Sequence, residues 1–187
     1  MPLTQLDPNV ALVIIDLQKG IVGLPTVHAV AGVLQNAAAL ARTFRQHNLP
    51  VVLVNVAGRA PGRTDAGPFK FTFPPDWTDL APELNQQPTD HLVTKHRVGA
   101  FLGTDLDAYL RSRKVTQIVL TGVSTSSGVE ATARSAYDLG YHVVFATDAM
   151  TDMSADMHDH SVEKAFPKLG ERDLCAAIVA RLTGTST

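Results

Sequence analysis

A chain of 187 residues, 45% hydrophobic and 18% charged, carries enough apolar material for one sizeable core and reads as a single domain over residues 1–187. Its formal net charge of −2 excludes a strongly basic surface, so neither nucleic acid nor an anionic membrane is an expected partner, and no apolar run is long enough to span a bilayer. The one cysteine, Cys175, excludes an intrachain disulfide, and the amino terminus lacks a charged stretch followed by a long apolar core, so a reducing cytoplasm is the expected location.

Residues 9–16 form an uninterrupted apolar run ending on Asp16, the pattern of a strand covered on both faces of a parallel sheet. Thr26 is placed to cap the next helix, in which Val30, Val33, Leu34, Ala37, Leu40, Ala41 and Phe44 recur at helical spacing until Asn48, Leu49 and Pro50 stop it. Residues 50–56 are a second strand. Between 57 and 90, glycines and prolines exclude a long helix and leave a loop with a short turn near 78–84. Its aromatics (Phe69, Phe71, Phe73 and Trp77) are expected to anchor it to the body, the alternative being a lid.

A short strand, His91 to Lys95, comes next and ends on a lysine. Thr104 and Asp107 have the spacing of a capping box for a helix that reaches Arg113. Residues 115–121 are a strand, 129–139 a helix closed by Gly140, and 142–146 a further strand. Residues 157–165 and 172–182 read as closing helices. Strands alternating with helices predict a parallel sheet with helices on both faces. Cys175 falls on the apolar side of the last helix and reads as a buried structural thiol.

Residues 121–134, Thr-Gly-Val-Ser-Thr-Ser-Ser-Gly-Val-Glu-Ala-Thr-Ala-Arg, run from strand through a tight turn into a helix. In an open parallel sheet ligands gather at such strand-to-helix turns, where backbone N–H groups are free and partly positive. This stretch resembles the nucleophile turn of the isochorismatase-like cysteine hydrolases. Residues 13–18 (Val-Ile-Ile-Asp-Leu-Gln) match in the family's order, as do Val93-Thr94-Lys95 followed by Phe101 and Gly103-Thr104-Asp105-Leu106. The resemblance covers residues 12–170 and implies a three-layer α/β/α fold around a parallel sheet of five or six strands. It places the family's catalytic Asp and Lys at Asp16 and Lys95. At the family's cysteine stands Gly128.

With no side chain at Gly128, an acyl-enzyme on that residue is excluded. The family offers vinyl-ether hydrolysis by members that carry Gly there, and the resemblance then makes Asp16 a general acid whose pKa must lie above the ordinary carboxylate range. A second enzymatic reading has Asp16 activate water against another small amide-like or ester-like substrate. A third is a binding protein that lost the thiol. The expected ligand is a small anion, contacted by Gln18, Asn55, Phe101, Val123, Ser124 and Ser127, with Asn55 standing where isochorismatases have a Gln. Arg97 either binds a substrate carboxylate or faces solvent.

Ser124, Ser126 and Ser127 are candidate nucleophiles only if a base is near, and helix capping or substrate hydrogen bonds are the expected uses. Asp156, His158, Asp159 and His160 cluster in sequence but read as a solvated helix start, so neither a metal nor another cofactor is expected. The resemblance also implies a cis peptide at Val123–Ser124 and a homodimer or larger assembly.

Overall fold

The computed structural model describes residues 2–65, 67 and 72–184; Phe69 and Phe71, expected among the loop anchors, lie outside the described residues. Six parallel strands form one sheet: β1 (Val10–Ile15), β2 (Val51–Val56), β3 (His91–Lys95), β4 (Gln117–Val123), β5 (His142–Thr151) and β6 (Glu171–Asp173). Their order is β3-β2-β1-β4-β5-β6. Chain order and sheet order part company between β1 and β4, so the chain leaves those neighbours in opposite directions and opens a crevice at their carboxyl ends.

β1 is buried along its whole length because alternate residues feed two cores. Leu12 and Ile14 join Val33, Leu34, Leu40 and Phe44 of α2 (Val30–Gln46) and Ile178 of α6 (Cys175–Thr183). Val13 and Ile15 join Leu106 and Leu110 of α3 (Leu106–Ser112) and Ala133 and Ala136 of α4 (Glu130–Asp138). Helices thus cover both faces, and the three-layer α/β/α arrangement follows from which residues each helix buries. A short helix, Lys19–Val22 (α1), and another, Ala155–His160 (α5), lie at the carboxyl edge.

Local capping signals match the structure less closely than the burial patterns do. Thr26 does not cap α2: its hydroxyl donates to the His28 carbonyl, and the helix starts after Ala29 with no side-chain cap, held instead by its apolar face. The capping box at Thr104 is incomplete, since Asp107 bonds Arg111 and the Tyr141 hydroxyl rather than the helix start. The last expected helix begins three residues late, because residues 171–173 pair with β5 as β6. Gly170 permits that approach: a Cβ on it would lie 2.0 Å from the Val143 carbonyl oxygen. β5 itself runs on to Thr151, five residues beyond its apolar run.

Trp77 anchors the long loop, as expected. A Cβ on Gly20 would lie 2.3 Å from its ring, and its indole N–H donates to the Val56 carbonyl at 2.9 Å. Among the described residues, no helix is long and apolar enough to cross a membrane.

Candidate active site

Asp16 follows β1 directly and turns the chain with φ of +53°, a conformation uncommon outside glycine. Lys95 ends β3, on the same face as the buried Val93. Its ammonium crosses the end of β2 to reach Asp16 Oδ2 at 2.8 Å, and both side chains are almost wholly buried. Lys95 Nζ also donates to the Arg97 carbonyl at 3.3 Å. Asp16 Oδ1 has no hydrogen-bond partner among the described residues. Burial pushes the Asp16 carboxyl up to about 6 from an ordinary value near 3.8, while Lys95 pulls it down by charge and hydrogen bond.

β4 delivers the third component. Gly122 has φ of +122°, and a Cβ on it would lie 2.0 Å from the Ile15 carbonyl oxygen, so glycine is required for β4 to pass β1 this closely. The Val123–Ser124 peptide is cis. A single wide turn, Thr125–Val129, then leads into α4, and the Ser127 and Val129 amides both return to the Ser124 carbonyl at 3.1 Å. A Cβ on Gly128 would point at Asp16, 3.3 Å from Oδ2, and would touch Ile15 Cγ2 at 3.0 Å. The carboxyl therefore faces the space that any side chain at position 128 would enter.

These groups line one cavity of about 210 Å³. Asp16, Lys95, Val123, Ser124, Ser127 and Gly128 all contribute to it, and so does Arg97. Three expected substrate contacts do not. Gln18 is fully buried, its amide donating to the Val56 and Trp77 carbonyls while its oxygen accepts from the Val56 amide at 2.6 Å. It splices α1 and the long loop onto β2. Asn55 faces the α2 side of the sheet, donates to the Thr78 carbonyl at 2.9 Å and borders a separate cavity with Lys19 and Asp79. Phe101 stacks on Tyr141 at 5.9 Å in the second core.

The lining also includes Ile21, Val56, Gly58, Arg59 and Val98, which the sequence reading missed. Arg59 sits just past β2, where a strand-end signal was present but the Gly- and Pro-rich loop hid it. Cys175 is buried far along the chain at the start of α6, with burial and Asp148 holding its thiol well above the usual range. Of the acidic and histidine cluster on α5, only His158 is buried, and among the described residues no three His, Cys, Asp or Glu side chains are grouped to hold a metal ion.

A Brønsted acid tuned by burial, a fixed ammonium and a glycine-walled space make a site able to donate or accept a proton at a small molecule. Comparison with known proteins agrees with that chemistry at the level of class. The family profile of the isochorismatase domain matches residues 10–176. The isochorismatase family protein YwoC of Bacillus subtilis is 44% identical over 168 residues, which is 86% of this chain and 87% of that protein. The ureidoacrylate amidohydrolase RutB of Rhizobium rhizogenes is 34% identical over 104 residues, or 53% of this chain and 42% of that one. A solved structure of an isochorismatase family protein from Burkholderia thailandensis superimposes with a TM-score of 0.92 at 45% identity, covering 96% of this chain and 98% of the other. The chain belongs to the isochorismatase family of hydrolases.

Proposed function

We propose that this hydrolase works without a cysteine nucleophile, with Gly128 at the thiol's position and Asp16 as general acid on a small anionic vinyl ether. The supporting observation is the Asp16 carboxyl, pushed up to about 6 and aimed at the space beside Gly128. In this reading Asp16 gives its proton to the terminal vinyl carbon, and the neighbouring carbon becomes an oxocarbenium ion. Water adds to that carbon and returns a proton to Asp16. The hemiketal formed then breaks its C–O bond to leave a ketone and an alcohol. Lys95 holds Asp16 in place and offsets negative charge on the substrate.

The balance of charge around the cavity supports an anion. Lys95 and Arg97 line it with one carboxyl, Asp16, while Ile21, Val56, Val98 and Val123 supply apolar walls. An arriving carboxylate also cancels part of the Lys95 field, which favours the protonated Asp16 that the reaction needs. The amidohydrolase named among the relatives favours a second reading, in which ionised Asp16 activates water against an amide. The two differ in sign. General-acid catalysis falls as pH rises through about 6, because Asp16 loses its proton; base catalysis rises through the same window. Rates against pH with isochorismate and with ureidoacrylate, for wild type and Asp16→Asn, separate them. Full activity of Asp16→Asn on either compound overturns both.

The same reading carries a homodimer or larger assembly. Leu92, Val98 and Leu102, at 45%, 50% and 70% exposure along and beyond the edge strand β3, support a second copy there, and sedimentation equilibrium tests it.

A further inference from the structure

Three segments converge behind the turn that walls the cavity. Asp152, just past β5, is buried; its Oδ2 accepts from the Ser126 amide at 2.7 Å and the Ser126 hydroxyl at 2.8 Å, and its Oδ1 accepts from the Met153 amide at 2.8 Å. One residue earlier, Thr125 Oγ1 meets His158 Nδ1 at 2.8 Å, with both side chains buried. His158 lies edge-on to His28, their ring centroids 4.6 Å apart at 65°. His28 comes from the loop before α2, and its Nδ1 is 3.2 Å from Thr151 Oγ1. Consecutive residues of the turn, Thr125 and Ser126, are therefore each held by a titratable group from outside it.

An amide side chain would satisfy Thr125 equally well, so hydrogen bonding alone does not call for imidazole here. A proton on the buried His158 ring is disfavoured by its burial and by the His28 ring in edge contact with it. The charged and titratable groups facing His158 are His28 from the loop, Asp152 from the end of β5 and Asp159 from its own helix. Glu130, at the start of α4, lies nearby through Ser161, whose hydroxyl donates to its Oε2 at 2.6 Å. Burial, then His28, hold the His158 ring below its ordinary value of 6.5, with Asp159 and Asp152 pulling the other way.

We propose that Asp152 and His158 are positioning residues that clamp the Thr125–Gly128 segment against the cavity, and that protonation of His158 opens the clamp. With His158 neutral and its proton on Nε2, the Thr125 hydroxyl donates to Nδ1. A proton on Nδ1 reverses that bond, forces the hydroxyl to turn and sets a charge beside His28. The folded turn favours the neutral ring, so the clamp is complete above the ordinary histidine range and weakens as pH falls below about 6.5. The inference rests on reading this turn as the wall of the reaction cavity. There it supplies an acid limb opposite to the alkaline limb of Asp16, and together they give a bell-shaped profile.

The test is an NMR titration of the full chain from pH 8 to 5 without substrate, following the Ser126 and Gly128 amides and both histidine rings. In wild type the two amides are expected to move with the midpoint of the His158 ring. His158→Gln is expected to abolish that movement. His28→Asn should raise the His158 midpoint toward about 6.5, and Asp152→Asn should lower it. Amides that stay still through the His158 midpoint, amides that move unchanged in His158→Gln, or a midpoint indifferent to both neighbours would each overturn the proposal. If His158→Gln does not fold, Thr125→Val serves: the ring should then titrate with the amides stationary, and continued joint movement counts against the clamp. No turnover is read, so failure here leaves the Asp16 reaction standing, and failure of that reaction leaves this result interpretable.

Discussion

One buried ion pair, Asp16–Lys95, and one half-buried pair, Arg45–Asp90, sit at this sheet's loops and are built to opposite specifications. Arg45 of α2 and Asp90, just before β3, form a fork in which Nε reaches Oδ1 at 3.0 Å and Nη2 reaches Oδ2 at 2.7 Å. The guanidinium also donates twice to the Leu84 carbonyl, and Asp90 Oδ2 accepts the Gln87 amide as well. Both carboxylate oxygens are used. In the Asp16–Lys95 pair, one carboxylate oxygen takes the ammonium and the other has no partner among the described residues. Burial with one oxygen left unpartnered favours a proton on Asp16. In the proposed reading, the difference separates a pair that serves structure from one left ready for chemistry.

Removing one partner from each pair tests that division. The largest effect is expected for Asp16→Asn: turnover falls by about three orders of magnitude or more, while the circular dichroism spectrum stays native. A mild loss would move Asp16 to the structural class. In wild type, kcat/KM for a vinyl ether should decline about tenfold per pH unit above roughly 6, as Asp16 ionises. A rate that climbs there instead makes Asp16 a base.

The complementary variant is Asp90→Ala. It leaves the half-buried Arg45 without its carboxylate and should cost about 3 kcal/mol, read as a midpoint shift in urea, with kcat/KM unchanged. If turnover falls in step with stability, the two pairs are not separable in the way proposed. Arg97→Ala is expected to raise KM about tenfold with little change in kcat, the loss of one charge-assisted contact to an anion. The smallest effect belongs to the exposed pair of Lys19 with Asp79, 2.8 Å apart at the surface. Lys19→Ala should leave Tm and kinetics unchanged within error.

Legibility from sequence followed the same line between burial and partnership. The uninterrupted run before Asp16 and the 3.6-residue recurrence in α2 are statements about which atoms leave water, and both elements form where those patterns lie. Trp77 was readable as an anchor because an indole in a Gly- and Pro-rich loop needs a surface to cover it. Gln18 was misread because an amide beside a strand-end Asp looks the same in sequence whether it points at a ligand or at carbonyls. β6 was hidden because three polar residues, Glu171 to Asp173, carry no alternation to reveal a strand. Arg59 was hidden for a related reason: nothing local tells which loop residue will turn toward a cavity.

From sequence alone came the alternation of buried strands and amphipathic helices, the two strand-terminal charges at Asp16 and Lys95, and the glycine that stands in a turn otherwise matching the thiol hydrolases. Tertiary structure decided that β1 lies between β2 and β4, that Lys95 reaches across β2 to Asp16, and that Gly128 faces the carboxyl. The reason is physical. Periodicity along a chain records how each segment meets water, which is a local property. Strand order and side-chain convergence depend on pairings between segments as distant in sequence as Val10 and Gln117, and no local pattern encodes which partner wins.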